Sequence, residues 1–299
     1  MSIRANGLPD LVGNTPLIHL KISDVDIYAK AEFMNPSGSV KDRPMLRIIQ
    51  GAMSSGSLRP GDTLVEATSG NAGISFAMLC AHFGIKCVLI MPRNMSQERK
   101  NAFKAYGADL IEVGDGAFDE AISMRDRLAK ENGWFNGDQF GSLLNIQSHI
   151  DGTGAEFVRQ LNEIGVTPSA FVSGTGTGGT IMGVGKVFRD KYPSVKIVAV
   201  EPEESAVMSG KLPGLHGIQG IGDGSKFLVE LDKIDFITTV STESAKYYTR
   251  KMARDYGLFV GFSAAANVVA SLTWAKTHGQ NNVTTILCDR GDRYFSNLF

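Results

Sequence analysis

Apolar and polar positions along the chain alternate in blocks that predict short buried strands separated by helices. Segments such as KCVLIMP and KIVAVEP are apolar and rich in β-branched residues, whereas FDEAISMRDRLAKEN, which lies between such runs, indicates a helix. Strands of this kind, separated by helices, are typical of parallel sheets covered on both faces. The chain is therefore predicted to be an α/β protein of two closely packed domains, each a mostly parallel sheet with helices on both faces.

The individual elements follow from the same pattern. The predicted strands are IYAKAEF, TLVEATS, KCVLIMP, DLIEVG, AFVSG, KIVAVEP, FITTVS and TTILCDRG. Predicted helices follow Lys41, Asn71, His149 and Gly178, and others cover SQERKNAFKAYG, FDEAISMRDRLAKEN, TESAKYYTRKMARDYG and AANVVASLTWAK. The polar, glycine-bearing stretch from Gln139 to His149 is the best candidate boundary, which predicts domains over residues 1–144 and 145–299.

Composition narrows the class of protein. The 299 residues, 43% of them hydrophobic, can bury a large core. A formal net charge of −1 gives no reason to expect nucleic acid or an anionic membrane as a partner. Apolar runs are too short to span a bilayer, and the first residues lack the apolar core of a signal peptide, which predicts a soluble cytosolic protein. Cys80, Cys87 and Cys288 form no C-x-x-C pair, so we expect them to fill the core, and no metal site is predicted.

A glycine-rich loop, SGTGTGGTIMGVGKV, carries the first candidate chemistry. Gly174, Gly176 and Gly179 form a G-x-G-x-x-G pattern between a predicted strand and a helix, and the next strand ends in Glu201. This arrangement fits a dinucleotide-binding fingerprint with a ribose-binding carboxylate. It equally fits another phosphate, because amides at a helix N-terminus suit any phosphate group. The residues alone leave both ligands open.

Three further loops lie where strands pass into helices, which is where parallel α/β sheets bind ligands. In NPSGSVKDRP, Lys41 is either an ordinary surface lysine or an amine whose neutral form is favoured by the helix N-terminus and can form a Schiff base. In VGFSAAA, Ser263 fits a helix N-cap. The loop EATSGNAGIS fits either a helix cap or an anion-binding pocket, and its small polar residues are Thr68, Ser69, Gly70 and Asn71.

Several motifs, in order, resemble one family. They are NPSGSVKDR, EATSGNAGI, MPRNMSQER, DQF, SGTGTGGT, IQGIG, GFSAAA and CDRGDRY. Together they are similar to the cysteine synthases, or O-acetylserine sulfhydrylases, which are pyridoxal-phosphate enzymes of the tryptophan synthase β-subunit type. The resemblance runs from VGNTPL, near residue 12, to the C-terminus. It implies that the glycine loop holds the 5′-phosphate of pyridoxal phosphate.

The resemblance also implies a role for each matching residue. Lys41 would hold the cofactor as a Schiff base and later move the α-proton of the substrate, and Ser263 would face the pyridine nitrogen. The cofactor would also be bound by Asn71, Gly176, Thr177, Gly178 and Thr180. The amino-acid carboxylate would be bound by Thr68, Ser69, Asn71 and Gln139.

The implied reaction makes L-cysteine from O-acetylserine, or a similarly activated serine, and sulfide, through an aminoacrylate intermediate. The resemblance further implies a homodimer, a part at about residues 85–131 that moves over the site, and early N-terminal residues packed on the C-terminal domain. Serine acetyltransferase is a partner of this family.

The chain departs from the family pattern in places. MPRNMSQERKNAFKAYGA and CDRGDRYFS look like the B isozyme, whereas ESAVMSGKLPGLHGIQGIG looks like the A isozyme. Asp223, in IQGIGDGSKF, is either a turn residue or a general base beside the cofactor. Other functions stay open: a cysteine β-lyase or another β-replacement enzyme, a non-catalytic protein that binds a partner, and an NAD-binding enzyme.

Overall fold

The computed structural model describes residues 5–68, 70–116, 118–222 and 224–298. Its strands are β1 (Leu17–Ile22), β2 (Val25–Lys30), β3 (Thr63–Ala67), β4 (Lys86–Pro92), β5 (Asp109–Val113), β6 (Phe135–Asn136), β7 (Ala170–Gly174), β8 (Lys196–Pro202), β9 (Phe236–Val240) and β10 (Val283–Ile286). Its helices are α1 (Asp42–Ser55), α2 (Asn71–Phe83), α3 (Gln97–Ala105), α4 (Phe118–Asn132), α5 (Leu143–Ser148), α6 (Ala155–Glu163), α7 (Gly179–Lys191), α8 (Thr242–Tyr256), α9 (Phe262–His278) and α10 (Phe295–Leu298).

Contacts divide the chain into two compact units. The first consists of residues up to Val12 together with Lys41–Asn145, and the second consists of Gly13–Val40 together with residues from Ile146 onwards. The predicted domain bounds, residues 1–144 and 145–299, stay a prediction. The predicted mobile part of the N-terminal domain, about residues 85–131, also stays a prediction.

The sheet of the first unit is parallel, with strand order β5-β4-β3-β6. Because side chains alternate along a strand, β3 sends Leu64 to one face, where it packs with α1 and α2. Val65 points to the opposite face and packs with α4 around Ala121. Both faces of this sheet are therefore covered by helices, which explains why apolar residues point to both faces of β3 and β4.

The sheet of the second unit has the order β1-β2-β10-β7-β8-β9. Its strands are parallel except for β1, which runs antiparallel to β2. Val172 of β7 packs with α9 on one face, and Phe171 packs with Phe188 of α7 on the other. The predicted α/β class, with parallel sheets between helices, is confirmed.

The cysteines and the helices bear on two other sequence predictions. Cys80, Cys87 and Cys288 are free thiols and all three are buried. Among the residues that the structure describes, no helix has the length and apolar character needed to cross a membrane.

Candidate active site

The glycine loop of the second unit runs from the end of β7 to the start of α7. Gly178 is the N-cap residue of α7 and has a φ of 88°, a conformation that favours glycine. A Cβ at this position would lie 2.6 Å from Cγ2 of Val229 and 2.9 Å from its backbone nitrogen, so the backbone leaves room for no side chain. The first N–H groups of a helix lack intrahelical partners and suit an anion. The loop is therefore shaped for a phosphate.

The threonines of this loop do different tasks. Thr180 Oγ1 lies 3.2 Å from Nε2 of His149, and Thr177 Oγ1 accepts a hydrogen bond from Gly179 N at 3.4 Å. Thr175 instead donates its hydroxyl to the carbonyl oxygen of Val200 on β8, at 3.2 Å. Thr177 and Thr180 thus lie at the start of α7, whereas Thr175 bonds the sheet. Their predicted contact with a phosphate stays a prediction.

His149 is a part of this site that sequence reasoning missed. It is 1% exposed and begins a π-helical turn, His149–Gly154, directly before α6. Its Nδ1 lies 2.9 Å from Thr153 Oγ1, so the imidazole is held from one side by its own turn and from the other by Thr180. Single π-turns are frequent at functional sites. Only the tertiary contact with Thr180 reveals it, because the sequence around His149 predicts no more than a helix.

A second glycine-bearing loop, IQGIG, packs against the first. Gly222 N donates to Thr175 O at 3.0 Å, and a Cβ on Gly174 would lie 2.7 Å from Cγ2 of Ile221. Ser263 is the second residue of α9, whose N-cap is Gly261, so the prediction that Ser263 caps the helix is wrong. Its side chain is buried, at 3% exposure, and its Oγ lies 3.9 Å from where a Cβ of Gly220 would stand. The second unit therefore brings the phosphate loop, the IQGIG loop and Ser263 together. Asp223, the next residue, lies outside the described residues.

Asn267 ties this cluster to the sheet and was also missed. Its Oδ1 accepts a hydrogen bond from Gly174 N at 2.7 Å, and its Nδ2 donates to Ile286 O at 2.9 Å. The side chain is fully buried on α9, one turn after Ser263. A buried amide with both ends bonded fixes the end of β7 relative to β10.

Glu201, the candidate ribose ligand of the dinucleotide interpretation, has a local task. It is 2% exposed, and its carboxylate accepts hydrogen bonds from Met208 N at 2.8 Å and from Ser209 N at 3.0 Å. The hydroxyl of Ser209 also donates to it at 2.5 Å. Glu201 therefore orders the turn after β8.

In the first unit, Lys41 is the residue directly before α1 and is half-buried. The neighbouring Asp42 is fully buried and accepts a hydrogen bond of 2.5 Å from Ser75 Oγ on α2. This bond joins the start of α1 to the first turns of α2, the helix that begins with Asn71. Lys41 and Asn71, two of the predicted cofactor-binding residues, therefore lie at the starts of two helices that this bond joins.

The loop between β3 and α2 carries the predicted carboxylate site. Thr68 is 3% exposed, and its Oγ1 accepts a hydrogen bond from Gly70 N at 3.3 Å. Gly70 caps α2 without a side chain. Arg99 of α3, which is 6% exposed, places its Cζ 3.9 Å from where a Cβ of Gly70 would stand, so a cation that the sequence did not single out adjoins this loop. Ser69 lies outside the described residues.

Gln139, the remaining predicted carboxylate ligand, is 3% exposed and is held through its main chain. Its N–H donates to Glu66 Oε2 at 3.1 Å, and its carbonyl oxygen accepts from Asn145 Nδ2 at 2.9 Å. Glu66 is fully buried on β3, two residues before Thr68, and Arg125 Nη1 of α4 lies 3.1 Å from its Oε1. Sequence reasoning identified neither Glu66 nor Arg125, since a lone acid in a strand and a lone base in a helix give no signal.

Electrostatics at this buried pair follow from desolvation. Burial raises the pKa of the Glu66 carboxyl, and the charge of Arg125 with the amides of Gln139 and Ala67 counteracts part of that rise. Burial alone would lower the pKa of Arg125, but the neighbouring Glu66 and Asp126 carboxylates leave it raised. Among the described residues, no cluster of histidine, cysteine, aspartate and glutamate could hold a metal ion.

Comparison with known proteins gives the family. Residues 8–289 match the family described as pyridoxal-phosphate dependent enzyme. A cysteine synthase of Staphylococcus aureus is 42% identical over 97% of this chain and 96% of its own length. The chain therefore belongs to the pyridoxal-phosphate-dependent enzymes, and the resemblance to the cysteine synthases and the prediction of the cofactor are confirmed.

Solved structures agree with this assignment. An O-ureido-L-serine synthase superposes with a TM-score of 0.94 at 34% identity, over 98% of this chain and 94% of that chain. A hydrogen sulfide-producing enzyme from Fusobacterium nucleatum superposes with a TM-score of 0.93 at 34% identity, over 97% of this chain and 90% of that chain. The glycine-built N-terminus of α7 fits the phosphate of pyridoxal phosphate, because a phosphate monoester needs backbone amides and hydroxyls that approach without intervening side chains.

Proposed function

We propose that this protein makes L-cysteine from O-acetylserine, or a similarly activated serine, and sulfide, with pyridoxal 5′-phosphate as its cofactor. The observation that carries the proposal is the phosphate cradle at the start of α7, where Gly178 is crowded against Val229 and Thr177 and Thr180 stand at the first turn. The full-length similarity to a cysteine synthase supports the choice of reaction.

The residues that match the family motifs bind the cofactor. Gly176, Thr177, Gly178 and Thr180 hold the phosphate, and Asn71 bonds the ring oxygen beside the aldehyde carbon. Ser263 faces the pyridine nitrogen, and a hydroxyl there gives a hydrogen bond without transferring a full proton. When bound, the cofactor supplies an electron sink for the pair of electrons left by the α-proton. A serine partner keeps that sink weak, which favours prompt loss of the β-substituent over transamination.

Lys41 would hold the cofactor covalently and would take and return the α-proton of the amino acid. A single amine suits both tasks, because it is a nucleophile and also a base. Thr68, Ser69, Asn71 and Gln139 bind the amino-acid carboxylate and set which C–H bond faces the amine. Residues of about 85–131 close over the bound substrate and exclude water.

The test of Lys41 is chemical labelling. Borohydride reduction of the loaded protein, followed by peptide mass mapping, is expected to place the pyridoxyl group on Lys41. Lys41→Ala is expected to lose nearly all cysteine formation, whereas Lys104→Ala, an exposed lysine of α3, keeps it. A label on any other lysine would overturn the assignment.

The substrate pair is tested by incubation with O-acetylserine, O-phosphoserine, serine and cysteine, each with and without sulfide. Cysteine formation from O-acetylserine and sulfide supports the proposal, and its absence with every activated serine overturns it. Ser69→Ala is expected to weaken amino-acid binding about 10-fold or more, as for loss of a hydrogen bond to a charged group. An unchanged affinity for every amino acid would remove Ser69 from the site.

A second candidate activity is release of sulfide from cysteine, with Asp223 as the general base that activates water. It is supported by the similarity to the hydrogen sulfide-producing enzyme of Fusobacterium nucleatum. Asp223→Ala is expected to abolish sulfide release from cysteine while cysteine synthesis survives. Equal sulfide release by the variant and the parent would leave Asp223 as a turn residue.

Assembly and location complete the proposal. We infer a cytoplasmic homodimer, as the resemblance to the cysteine synthases implies, and serine acetyltransferase as a partner by the same resemblance. Sedimentation equilibrium tests the dimer, and titration with a C-terminal peptide of the acetyltransferase tests the partner. A monomer at micromolar concentration, or absence of peptide binding, would remove the respective inference.

A further inference from the structure

A buried ion pair of the first unit lies directly beneath the segment that carries Gln139. Glu66 is fully buried, and Arg125 is 4% exposed. One oxygen of the Glu66 carboxylate, Oε1, receives Arg125 Nη1 at 3.1 Å and Ala67 N at 2.8 Å. The other oxygen, Oε2, receives Gln139 N at 3.1 Å. One oxygen of the carboxylate therefore binds Arg125 of α4, and the other binds the loop that carries Gln139.

The loop passes so close to this carboxylate that little else could stand there. A Cβ on Gly137 would lie 2.8 Å from Glu66 Oε2, and Gly137 N donates to Val65 O at 3.1 Å. Arg125 also approaches a side chain of the same loop, with Nη2 3.6 Å from Asp138 Oδ1. The main chain of residues 137–139 is therefore bonded to β3, and the guanidinium of Arg125 adjoins both Glu66 and Asp138.

We propose that Glu66 and Arg125 are positioning residues for amino-acid binding, which fix the main chain of Gln139 so that its side chain can meet the substrate carboxylate. This inference rests on the proposed function, because it takes Gln139 as a ligand of the amino acid. Neither Glu66 nor Arg125 touches the substrate. They act through the hydrogen bond between Glu66 and the amide of Gln139.

The charge of the pair is better explained by positioning than by stability. A buried ion pair often contributes little to folding, because desolvation offsets the attraction between the charges. A hydrogen bond to a charged acceptor is, however, stronger and more directional than one between neutral groups. A carboxylate at Glu66 therefore holds the Gln139 amide more firmly than an amide or hydroxyl side chain would, and the charge of Arg125 counteracts part of the rise that burial causes in the pKa of that carboxyl.

The pair also links amino-acid binding to a helix of the predicted mobile part. Arg125 belongs to α4, and its Nε and Nη2 bond Asp126 Oδ1 at 2.9 Å and 2.8 Å as well. Asp126 Oδ1 in turn accepts from Asn136 Nδ2 at 2.9 Å, just before the loop. A shift of α4 relative to β3 would therefore move Gln139, and a bound carboxylate would resist that shift.

The experiment is a double-mutant cycle on amino-acid binding to the loaded protein without sulfide, measured by calorimetry with methionine, an analogue that has no leaving group on its β-carbon and does not react. Arg125→Met and Gln139→Ala are each expected to weaken binding about 10-fold. The double variant is expected to bind no more weakly than Gln139→Ala alone, because Arg125 acts through Gln139. Affinity for pyridoxal phosphate is expected to change less than about 2-fold in all three.

Controls separate positioning from damage to the fold. Arg127→Met removes an exposed arginine of the same helix and is expected to leave binding unchanged. Glu66→Gln keeps the shape of the side chain and removes its charge, so it serves as the second variant if Arg125→Met does not fold. It is expected to behave like Arg125→Met in the cycle.

The outcomes also distinguish this inference from the proposed function. If the losses of Arg125→Met and Gln139→Ala multiply in the double variant, the pair has only a structural role and the inference is wrong while the proposed function stands. If the parent protein binds no amino acid at all, the proposed function fails and the inference falls with it. Unchanged binding by both Arg125→Met and Glu66→Gln overturns the inference alone.

Discussion

Replacing Gly178 by alanine tests whether the start of α7 is as tightly built as the distances indicate. The added methyl group would lie 2.6 Å from Val229 Cγ2 and 2.9 Å from Val229 N, and the second contact is with backbone, which cannot rotate away. Overpacking of this kind costs about 1–3 kcal/mol. The φ of 88° adds about 1–2 kcal/mol for a residue with a Cβ, and loss of glycine entropy in the unfolded chain returns about 0.4–1 kcal/mol.

The expected loss of unfolding free energy for Gly178→Ala is therefore about 1–5 kcal/mol. Gly185→Ala is the matched control, since it lies on the same helix and its Cβ would meet Ile197 at 3.5 Å, an ordinary contact. A mid-helix glycine replaced by alanine gains up to about 1 kcal/mol. The free energy of unfolding should thus be lower than that of the parent for Gly178→Ala and higher for Gly185→Ala.

Tryptophan fluorescence can follow the second unit alone. The chain has two tryptophans, Trp134 in the first unit and Trp274 on α9 in the second. In a Trp134→Phe background, urea unfolding reports on Trp274, and cofactor affinity is measured on the same protein. Gly178→Ala is expected to lower both the unfolding midpoint and the affinity for pyridoxal phosphate. If its unfolding free energy stays within about 0.5 kcal/mol of the parent, the reasoning on this loop is wrong.

Three further substitutions have defined outcomes. Asn267→Ala leaves the buried amide of Gly174 without its acceptor, so we expect a loss of about 1–3 kcal/mol and weaker cofactor binding, measured by urea unfolding and cofactor titration. Ser75→Ala removes the hydrogen bond to the buried carboxylate of Asp42, so we expect the free energy of unfolding of the first unit to fall by about 1.5–3 kcal/mol. Trp134 fluorescence measures this unfolding, and a loss below about 0.5 kcal/mol would contradict the expectation. Although burial opposes ionisation, hydrogen bonds from a backbone amide and an arginine lower the pKa of Asp235 below 3.8. The ionised Asp235 therefore adds to the free energy of unfolding above pH 3.8, and this stabilisation is lost as the pH falls through the lowered pKa. The difference in unfolding free energy between the parent and Asp235→Asn should shrink as acid is added. A difference that stays constant with pH would contradict the assignment.

The sequence predicted the buried strands well because a parallel strand covered on both faces forms a nearly continuous apolar run, as KCVLIMP does after its exposed first residue. It missed β1, LIHLKI, because His19 and Lys21 are exposed on an antiparallel edge and break the apolar run. It also missed β6, which has only two residues.

The candidate site divides in the same way. Loop motifs are local in sequence, so Lys41 and the glycine loop could be singled out from the order of residues alone. Residues that support those loops from other elements could not, because their partners are distant along the chain. Asn267 meets Gly174 across 93 positions, and Arg125 meets Glu66 across 59. Such pairs become visible only when the chain is folded.

The placement of β2 has a consequence for synthesis on the ribosome. β2 lies between β1 and β10 in the sheet. The hairpin of β1 and β2 is synthesised early, and the free edge of β2 stays unpaired until β10, Val283–Ile286, has been synthesised. Nearly all of the first unit, Lys41–Asn145, is translated in between and has its own complete sheet. An unpaired strand edge is a template for wrong pairing between nascent chains. Chains that stall before Val283 should therefore be the aggregation-prone species, and a chaperone that covers β2 until translation ends would protect the yield of this protein.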